Sequence, residues 1–333
     1  NSTDYFRGGA GDDLVPTAGS ANDYQAFNLI SENTLNYQRV FNSVHDITGL
    51  LGASYQHQTS RGVDLAAVAG SYNNELIHTL NNAIINPTAS SSEKSEWGLV
   101  SYFGRVNYAY DSRYLFSASL RTDASSRFGS DNKWAVFPAA SVAWRVSQEA
   151  FLQNSPLVSE LKVRASYGST GNFNIGDFAY LARVGSVSYS PDNSIVNGLA
   201  TVSFENPMLG WERTTSNNLG IDLGLFNDRL YLSADLYDKR TTDLLYNVSV
   251  PALTGFTSAI ANIGEVRNTG FELELNSRNL TGAFSWNTSF NFSRNKNEVV
   301  DLGEVSERVY NHSLGMSWIL REGEPMFSYY GYR

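Results

Sequence analysis

Four histidines, His45, His57, His78 and His312, are the side chains whose pKa best suits proton transfer or metal binding near neutral pH. They stand far apart in the chain, and no HExxH pair, GxSxG elbow, P-loop or GxGxxG turn accompanies them. They read as isolated loop or surface residues. The run Gly8-Gly9-Ala10-Gly11-Asp12-Asp13 reads as a solvated acidic turn ahead of a calcium site. With no cysteine in 333 residues, thiolate metal sites, iron–sulfur clusters, disulfide scaffolds and cysteine nucleophiles are excluded. No catalytic residue, cofactor or metal is expected.

Two other sets have types suited to touching a ligand. Arg105, Arg121, Asp123, Arg164, Asp222, Asp235, Glu272 and Glu274 recur at alternate positions and are mixed in sign. They serve either to pair with one another or to contact something polar on that face. Tyr72, Tyr189, Phe204, Trp211, Tyr310 and Trp318 lie in long connections. An aromatic ring stacks on the C–H face of a sugar or covers an apolar side chain, and it also packs loop against loop.

The elements that carry these residues have a period of two, the signature of strands. Phe284, Trp286, Thr288, Phe290 and Phe292 share one parity, and Ser285, Asn287, Ser289, Asn291 and Ser293 the other. Val100, Tyr102, Val106, Tyr108 and Tyr110 likewise oppose Ser101, Arg105 and Asn107. About ten or eleven such strands are expected, each with a bulky apolar face and a small polar one. Glu96, Arg213, Asp238, Arg240, Glu265 and Arg267 break the rule by sharing the apolar parity, but only at strand ends that lead into long connections. A lipid-facing Arg costs about 2–4 kcal/mol at a bilayer midplane and roughly 0–1 near its interface, so a membrane strand tolerates charge there.

Composition narrows the class. The net charge is −9, against the basic face that a nucleic-acid backbone binder requires. At 42% apolar residues the chain is too hydrophobic for disorder. No apolar run is long enough for a transmembrane helix. The mean hydropathy of −0.28 suits a soluble β-rich protein. It equally suits a membrane β-barrel, which is apolar only at alternate positions.

Connection lengths favour the barrel. Short turns at Phe41–Asp46, Asp111–Arg113, Phe226–Arg229 and Arg278–Gly282 alternate with long segments at Ser60–Ser95, Thr170–Gly210, Thr241–Asn262 and Asn295–Pro325. Up-and-down outer-membrane barrels have this asymmetry, with short periplasmic turns and long outer loops. The eight alternating charges would then line the lumen. Leu76, Ile77, Leu80 and Ile84 have helical spacing, which predicts a short helix within Asn73–Ile85. Pro138 interrupts the alternation of Trp134–Trp144 and predicts a bulge or a strand start.

Several ordered stretches carry a resemblance. They are Ser101-Tyr102-Phe103-Gly104-Arg105-Val106-Asn107-Tyr108, Arg121-Thr122-Asp123-Ala124-Ser125-Ser126-Arg127-Phe128-Gly129 and Trp134-Ala135-Val136-Phe137-Pro138. Further on stand Thr170-Gly171-Asn172, Asn206-Pro207, Trp211-Glu212-Arg213-Thr214-Thr215, and Asn262-Ile263-Gly264-Glu265-Val266-Arg267-Asn268-Thr269-Gly270-Phe271-Glu272. In this order, over about Ser95–Arg333, the set resembles the SusC/RagA family of TonB-linked outer-membrane transporters.

The resemblance implies an all-β, transmembrane, antiparallel up-and-down barrel of 22 strands with long extracellular loops. This chain would supply about half of it. Residues 1–333 are expected to be a partial barrel domain, with the plug domain and the C-terminal strands outside this chain. The resemblance also implies a multi-pass protein of the bacterial outer membrane, a SusD-like surface lipoprotein as lid, and TonB acting through the plug. The implied activity is active import of oligosaccharides or peptides, with no chemistry on the cargo. The competing readings are an outer-membrane barrel enzyme, a protease or lipase, and a soluble β-rich glycan-binding or adhesion module.

Overall fold

The computed structural model describes residues 2–6, 18–71, 80–81, 83–189, 196–251, 253, 255–256, 258–311 and 316–331. In chain order the strands are β1 (Ser2–Phe6), β2 (Ala18–Phe41), β3 (His45–Ala66), β4 (Ser91–Tyr110), β5 (Tyr114–Ser125), β6 (Trp134–Arg145), β7 (Val158–Asn172), β8 (Val184–Tyr189), β9 (Val196–Thr201), β10 (Glu212–Leu225), β11 (Leu230–Thr242), β12 (Leu245–Ser249), β13 (Ser258–Asn262), β14 (Glu265–Thr281), β15 (Ser285–Asp301), β16 (Glu307–Asn311), β17 (Ser317–Arg321) and β18 (Ser328–Tyr330). Eleven of them form one sheet in the order β1-β2-β3-β4-β5-β6-β7-β10-β11-β14-β15. Each long strand pairs with the next long strand along the chain, as in a meander.

Two compact units divide the chain, Asn1–Ser31 with Tyr55–Leu99, and Glu32–Ser54 with Val100–Arg333. In the smaller unit β1 pairs antiparallel with the start of β2, and Ala67 bridges Ile85. The proposed helix at Asn73–Ile85 falls mostly outside the described residues, as do Tyr72, His78, His312 and the Gly8–Asp13 turn.

In the larger unit, register sorts the side chains. Arg164, Gly220, Asp235, Glu272 and Ser293 stand opposite one another on β7, β10, β11, β14 and β15. One position along, Val163, Ile221, Ala234, Leu273 and Phe292 do the same. Opposite residues share a face, so the sheet carries one continuous polar face and one continuous apolar face. The apolar face is uncovered, with Leu120, Val142, Leu219, Leu236 and Phe292 all exposed.

The tight turns hold left-handed residues, including Asn42, Ser43, Asp111, Ser112, Asn227 and Asp228. Asn and Asp tolerate that conformation because their short polar side chains bond locally. At the opposite end the strands run further than the alternation shows. The segments read as loops from Ser60, Thr170, Thr241 and Asn295 begin as strand, and β3, β7, β11 and β15 end at Ala66, Asn172, Thr242 and Asp301. About nine to eleven residues cross a bilayer, so these strands project beyond one, where alternation is no longer required. The long connections also contain strands of their own, the hairpins β8–β9 and β12–β13 and the three-stranded sheet β16–β17–β18.

Pro138 sits in regular register opposite Leu120, without a bulge. The ladder from β6 to β7 starts one residue later, at Ala139 opposite Gly168, so Pro138 stands where that ladder ends. Four of the six charges on the apolar parity pair with one another, while Glu96 meets Lys94 at 3.4 Å and Arg213 donates to the Val136 carbonyl at 3.2 Å. Arg267 grips Asp238 with Nε at 3.0 Å and Nη2 at 2.7 Å, and Arg240 lies 3.7 Å from Glu265.

Candidate functional site

Two regions gather the side chains able to meet a ligand: the polar face and the loops above it. On the polar face Asp222 is buried. Its Oδ2 meets Lys162 Nζ at 2.7 Å and Arg164 Nε at 3.2 Å, and its Oδ1 accepts from Ser233 at 2.9 Å. Arg164 continues through Nη2 to Asp235 Oδ2 at 2.6 Å. Burying Asp222 is affordable only because three donors replace its water. A second cluster forms on β5, where Arg121 Nε lies 2.8 Å from both oxygens of Asp123 and its Nη2 donates to Ser101 at 2.8 Å. The Arg121 guanidinium also covers the Phe103 ring at 5.4 Å.

The eight charges expected on this face therefore differ in state. Arg121, Asp123, Arg164, Asp222 and Asp235 are engaged with one another in two clusters. Glu274 accepts from Asn276 at 2.7 Å. Glu272 stands opposite Asp235 and, with Glu274, Ser233, Asn291 and Ser293, lines a concavity of about 360 Å³. Arg105 is exposed on the polar parity of β4. The resulting wall is hydrophilic, with carboxylates in excess around that concavity.

The loop region is built around Trp211. Phe128 and Leu209 are completely buried there with Ile175, and Phe173, Tyr180, Leu245 and Ile260 pack against them. Trp211 meets Phe128, Phe137 and Phe173 at 5.3, 5.5 and 5.4 Å, and its Nε1 donates to the Lys133 carbonyl at 2.9 Å. Polar clamps tie the same connections. Asn262 Nδ2 donates to the carbonyls of Gly210 and Asp243, both at 2.9 Å, and its Oδ1 accepts from Gly210 N–H at 2.7 Å. Arg127 Nε lies 2.7 Å from Asp177. The connections β5–β6, β7–β10 and β11–β14 thus share one core.

Of the other loop aromatics, Phe204 packs edge-on against Phe256 at 5.6 Å and stays partly exposed. Tyr189 closes β8 opposite Val196. Tyr310 and Trp318 lie opposite one another in the three-stranded loop sheet. Burial pushes the nearby Tyr246 phenol above its ordinary pKa, against the opposing charge of Arg308. Among the histidines, His45 bonds Tyr108 Oη at 2.8 Å, and His57 meets Thr59 at 3.3 Å. Among the described residues no His/Asp/Glu group has the clustering a metal ion needs.

Sequence reasoning missed Phe128, Leu209 and Asn262 as organisers of the loops. Phe128 and Asn262 lie within the motifs quoted above, but none of the three residues has a charge or a place in the alternation to show what it does.

The whole chain matches one family model. The description of that model is "TonB dependent receptor-like, beta-barrel", and the match runs over residues 1–332. The chain belongs to this family. TonB-dependent receptor P39 of Formosa agariphila is 41% identical over 92% of the chain and 29% of its own length. SusC of Bacteroides thetaiotaomicron is 40% identical over 61% of the chain and 21% of its own length. In structure, the RagAB peptide transporter superposes with a TM-score of 0.84 at 27% identity, covering 96% of this chain and 35% of that one. The SusC/RagA resemblance of the sequence thus holds. The chain spans about a third or less of the length of these relatives. As in other TonB-dependent receptor barrels, its strands cross the bacterial outer membrane, where an uncovered apolar face meets lipid.

Proposed function

We propose that this chain forms part of the wall and mouth of a TonB-dependent importer of oligosaccharides or peptides. The observation that carries the reading is the two-faced sheet whose polar side holds two clusters of paired charge and whose long connections lock into one body around Trp211. A wall of this kind passes hydrophilic cargo without reacting with it, so no catalytic step is assigned. A locked mouth offers a firm seat for a lid, and a SusD-like surface lipoprotein is the partner we assign to it. The plug and TonB contacts belong to the remainder of the protein. The SusC and RagAB likenesses support both assignments.

Deleting the gene in its host and growing the strain on defined oligosaccharides or peptides as sole carbon source tests the reading. Growth on one class must fail and return with the wild-type gene. It must also collapse when the proton-motive force is discharged at constant ATP. Unimpaired growth on every substrate would sink the proposal.

A further inference from the structure

Three small residues open a dent in the apolar face of the large sheet. Gly49 of β3, Gly104 of β4 and Ala118 of β5 share the apolar parity of their strands with Leu51, Val106 and Leu120. The three strands are neighbours, and all of these residues belong to the larger unit. Where the small residues come together there is a concavity of about 540 Å³, with Leu35, Leu51 and Leu120 around it and an almost wholly apolar lining. A Cβ at Gly49 would meet nothing within 4 Å, while one at Gly104 would meet Leu51 Cδ2 at 3.2 Å. The dent is therefore widest at Gly49, and the three leucines around it are exposed.

Two pairs of stacked rings bracket it. Tyr114 meets Trp144 at 6.4 Å toward the short turns, and Tyr102 meets Trp134 at 6.2 Å toward the long connections. On β5, Tyr114 stands opposite Trp144 and Ala124 opposite Trp134. Ala118 and Leu120 lie between these two levels. At about 3.3 Å per residue and a tilt of roughly 35–45°, they are about 10 and 15 Å from Tyr114 along the membrane normal. The apolar band of a barrel is about 25 Å tall, so the dent sits at mid-bilayer. Only hydrocarbon or the apolar surface of a second protein reaches that depth.

A second copy of this chain fits it poorly. In a two-fold interface the same patch lies on both partners, so the dent would face itself and the gap would double. Atoms that line a gap forfeit their dispersion contacts. An acyl chain is thin and flexible, belongs at this depth, and follows the shape of the dent. We infer that Gly49, Gly104 and Ala118 form a seat for a phospholipid acyl chain, which the barrel keeps as a bound lipid. The attraction is one of packing, since the surrounding lipid tails are equally apolar. The inference depends on the membrane position of this face and not on the cargo.

The test is native mass spectrometry of the full-length protein, purified in mild detergent and delipidated by prolonged washing. A phospholipid must persist on the barrel, identified by its mass after release. Gly49→Leu, which fills the widest part of the dent, must lower its occupancy about tenfold, the loss of roughly ten close atom contacts. Leu120→Ala, which removes a wall at an exposed position, must lower it as well. Heat-modifiable gel migration must be unchanged in the variants compared, and Leu120→Ala decides alone where Gly49→Leu does not fold. Absence of a retained lipid overturns the seat, as does a lipid that either folded variant keeps at the wild-type level. A retained lipopolysaccharide lost on the same substitutions assigns the dent to that lipid and overturns the phospholipid. A lipid-free dimer that Gly49→Leu splits assigns it to a second copy and overturns the inference too.

Discussion

Arg164 on β7 reaches over Gly220 on β10 to Asp235 on β11, with Nη2 2.6 Å from Oδ2. The three stand in one row, and the ion pair spans two strand intervals because the middle residue has no side chain. The device recurs one step along the sheet. Tyr237 on β11 crosses Gly270 on β14 and bonds Asn295 Oδ1 on β15 at 3.1 Å.

The two glycines answer differently to a methyl group. At Gly220 a Cβ would meet the mobile tips of Arg164 and Asp235 at 2.6 and 2.7 Å, so the guanidinium can swing aside. At Gly270 it would strike the Arg294 carbonyl, which belongs to the ladder, as well as Tyr237 Oη at 2.5 Å. Gly270→Ala is expected to cost about 1–3 kcal/mol of barrel stability, as overpacking generally does, and Gly220→Ala clearly less. Urea unfolding of the full-length protein in detergent measures the difference. Equal costs would contradict this account.

Trp211→Ala should open the loops and leave the barrel folded. Truncating a packed aromatic costs about 3–5 kcal/mol, and here the loss falls on the three connections that share the core. Hydrogen exchange should accelerate at Phe173, Ile175, Leu209 and Gly210 while β7 and β10 keep their protection. Uniform deprotection of strands and loops would place Trp211 in the global core instead.

Glu149 ties the periplasmic end to pH. Trp144 Nε1 donates to its Oε1 at 3.0 Å, Tyr114 Oη does so at 2.8 Å, and Arg113 Nη1 reaches Oε2 at 3.3 Å. The bond from Trp144 first, then that from Tyr114, holds its carboxyl below the usual glutamate pKa. A lowered folded pKa means that the contribution is fully present above the unfolded value of about 4.3 and lost as pH falls through the folded one. Trp144 emission should therefore shift on acidification below that value. Glu149→Gln should abolish the transition, and an unchanged titration in that variant would assign it elsewhere.

Trp144 and Trp134 stand ten residues apart on the outward face of β6, and each stacks with a tyrosine, Tyr114 at 6.4 Å and Tyr102 at 6.2 Å. At about 3.3 Å per residue and a tilt of roughly 35–45°, they lie about 25 Å apart along the membrane normal, the height of a barrel's apolar band. Each belongs to one interfacial girdle. Variants retaining only one of these tryptophans should be quenched strongly by lipids brominated near the headgroup and weakly by lipids brominated at the chain ends. Strong quenching of either by chain-end bromine would shift the membrane boundaries.

Part of this site was legible in the residues alone. The polar parity of Arg164, Asp222, Asp235, Glu272 and Glu274 follows from counting by two, and the structure places all five on one face. The bonds of Arg164 to residues 58 and 71 positions away follow from no local rule. They depend on which strands are neighbours and on a glycine between them. Trp211 and Trp318 look alike in sequence, each an aromatic in a long connection. Trp211 ends among Phe128, Phe137 and Phe173, while Trp318 meets the exposed Tyr329 ring.

By itself the sequence determined the class of molecule: strands, two faces, short turns at one end, long connections at the other. Those properties are local, because alternation records which phase each side chain meets and turn residues record backbone geometry. Only the tertiary structure decided how far the strands extend past the bilayer, which loops share a core, and which charges close on each other. Beyond the membrane both faces of a strand meet water, the alternation that marks it disappears, and contacts between distant segments decide the rest.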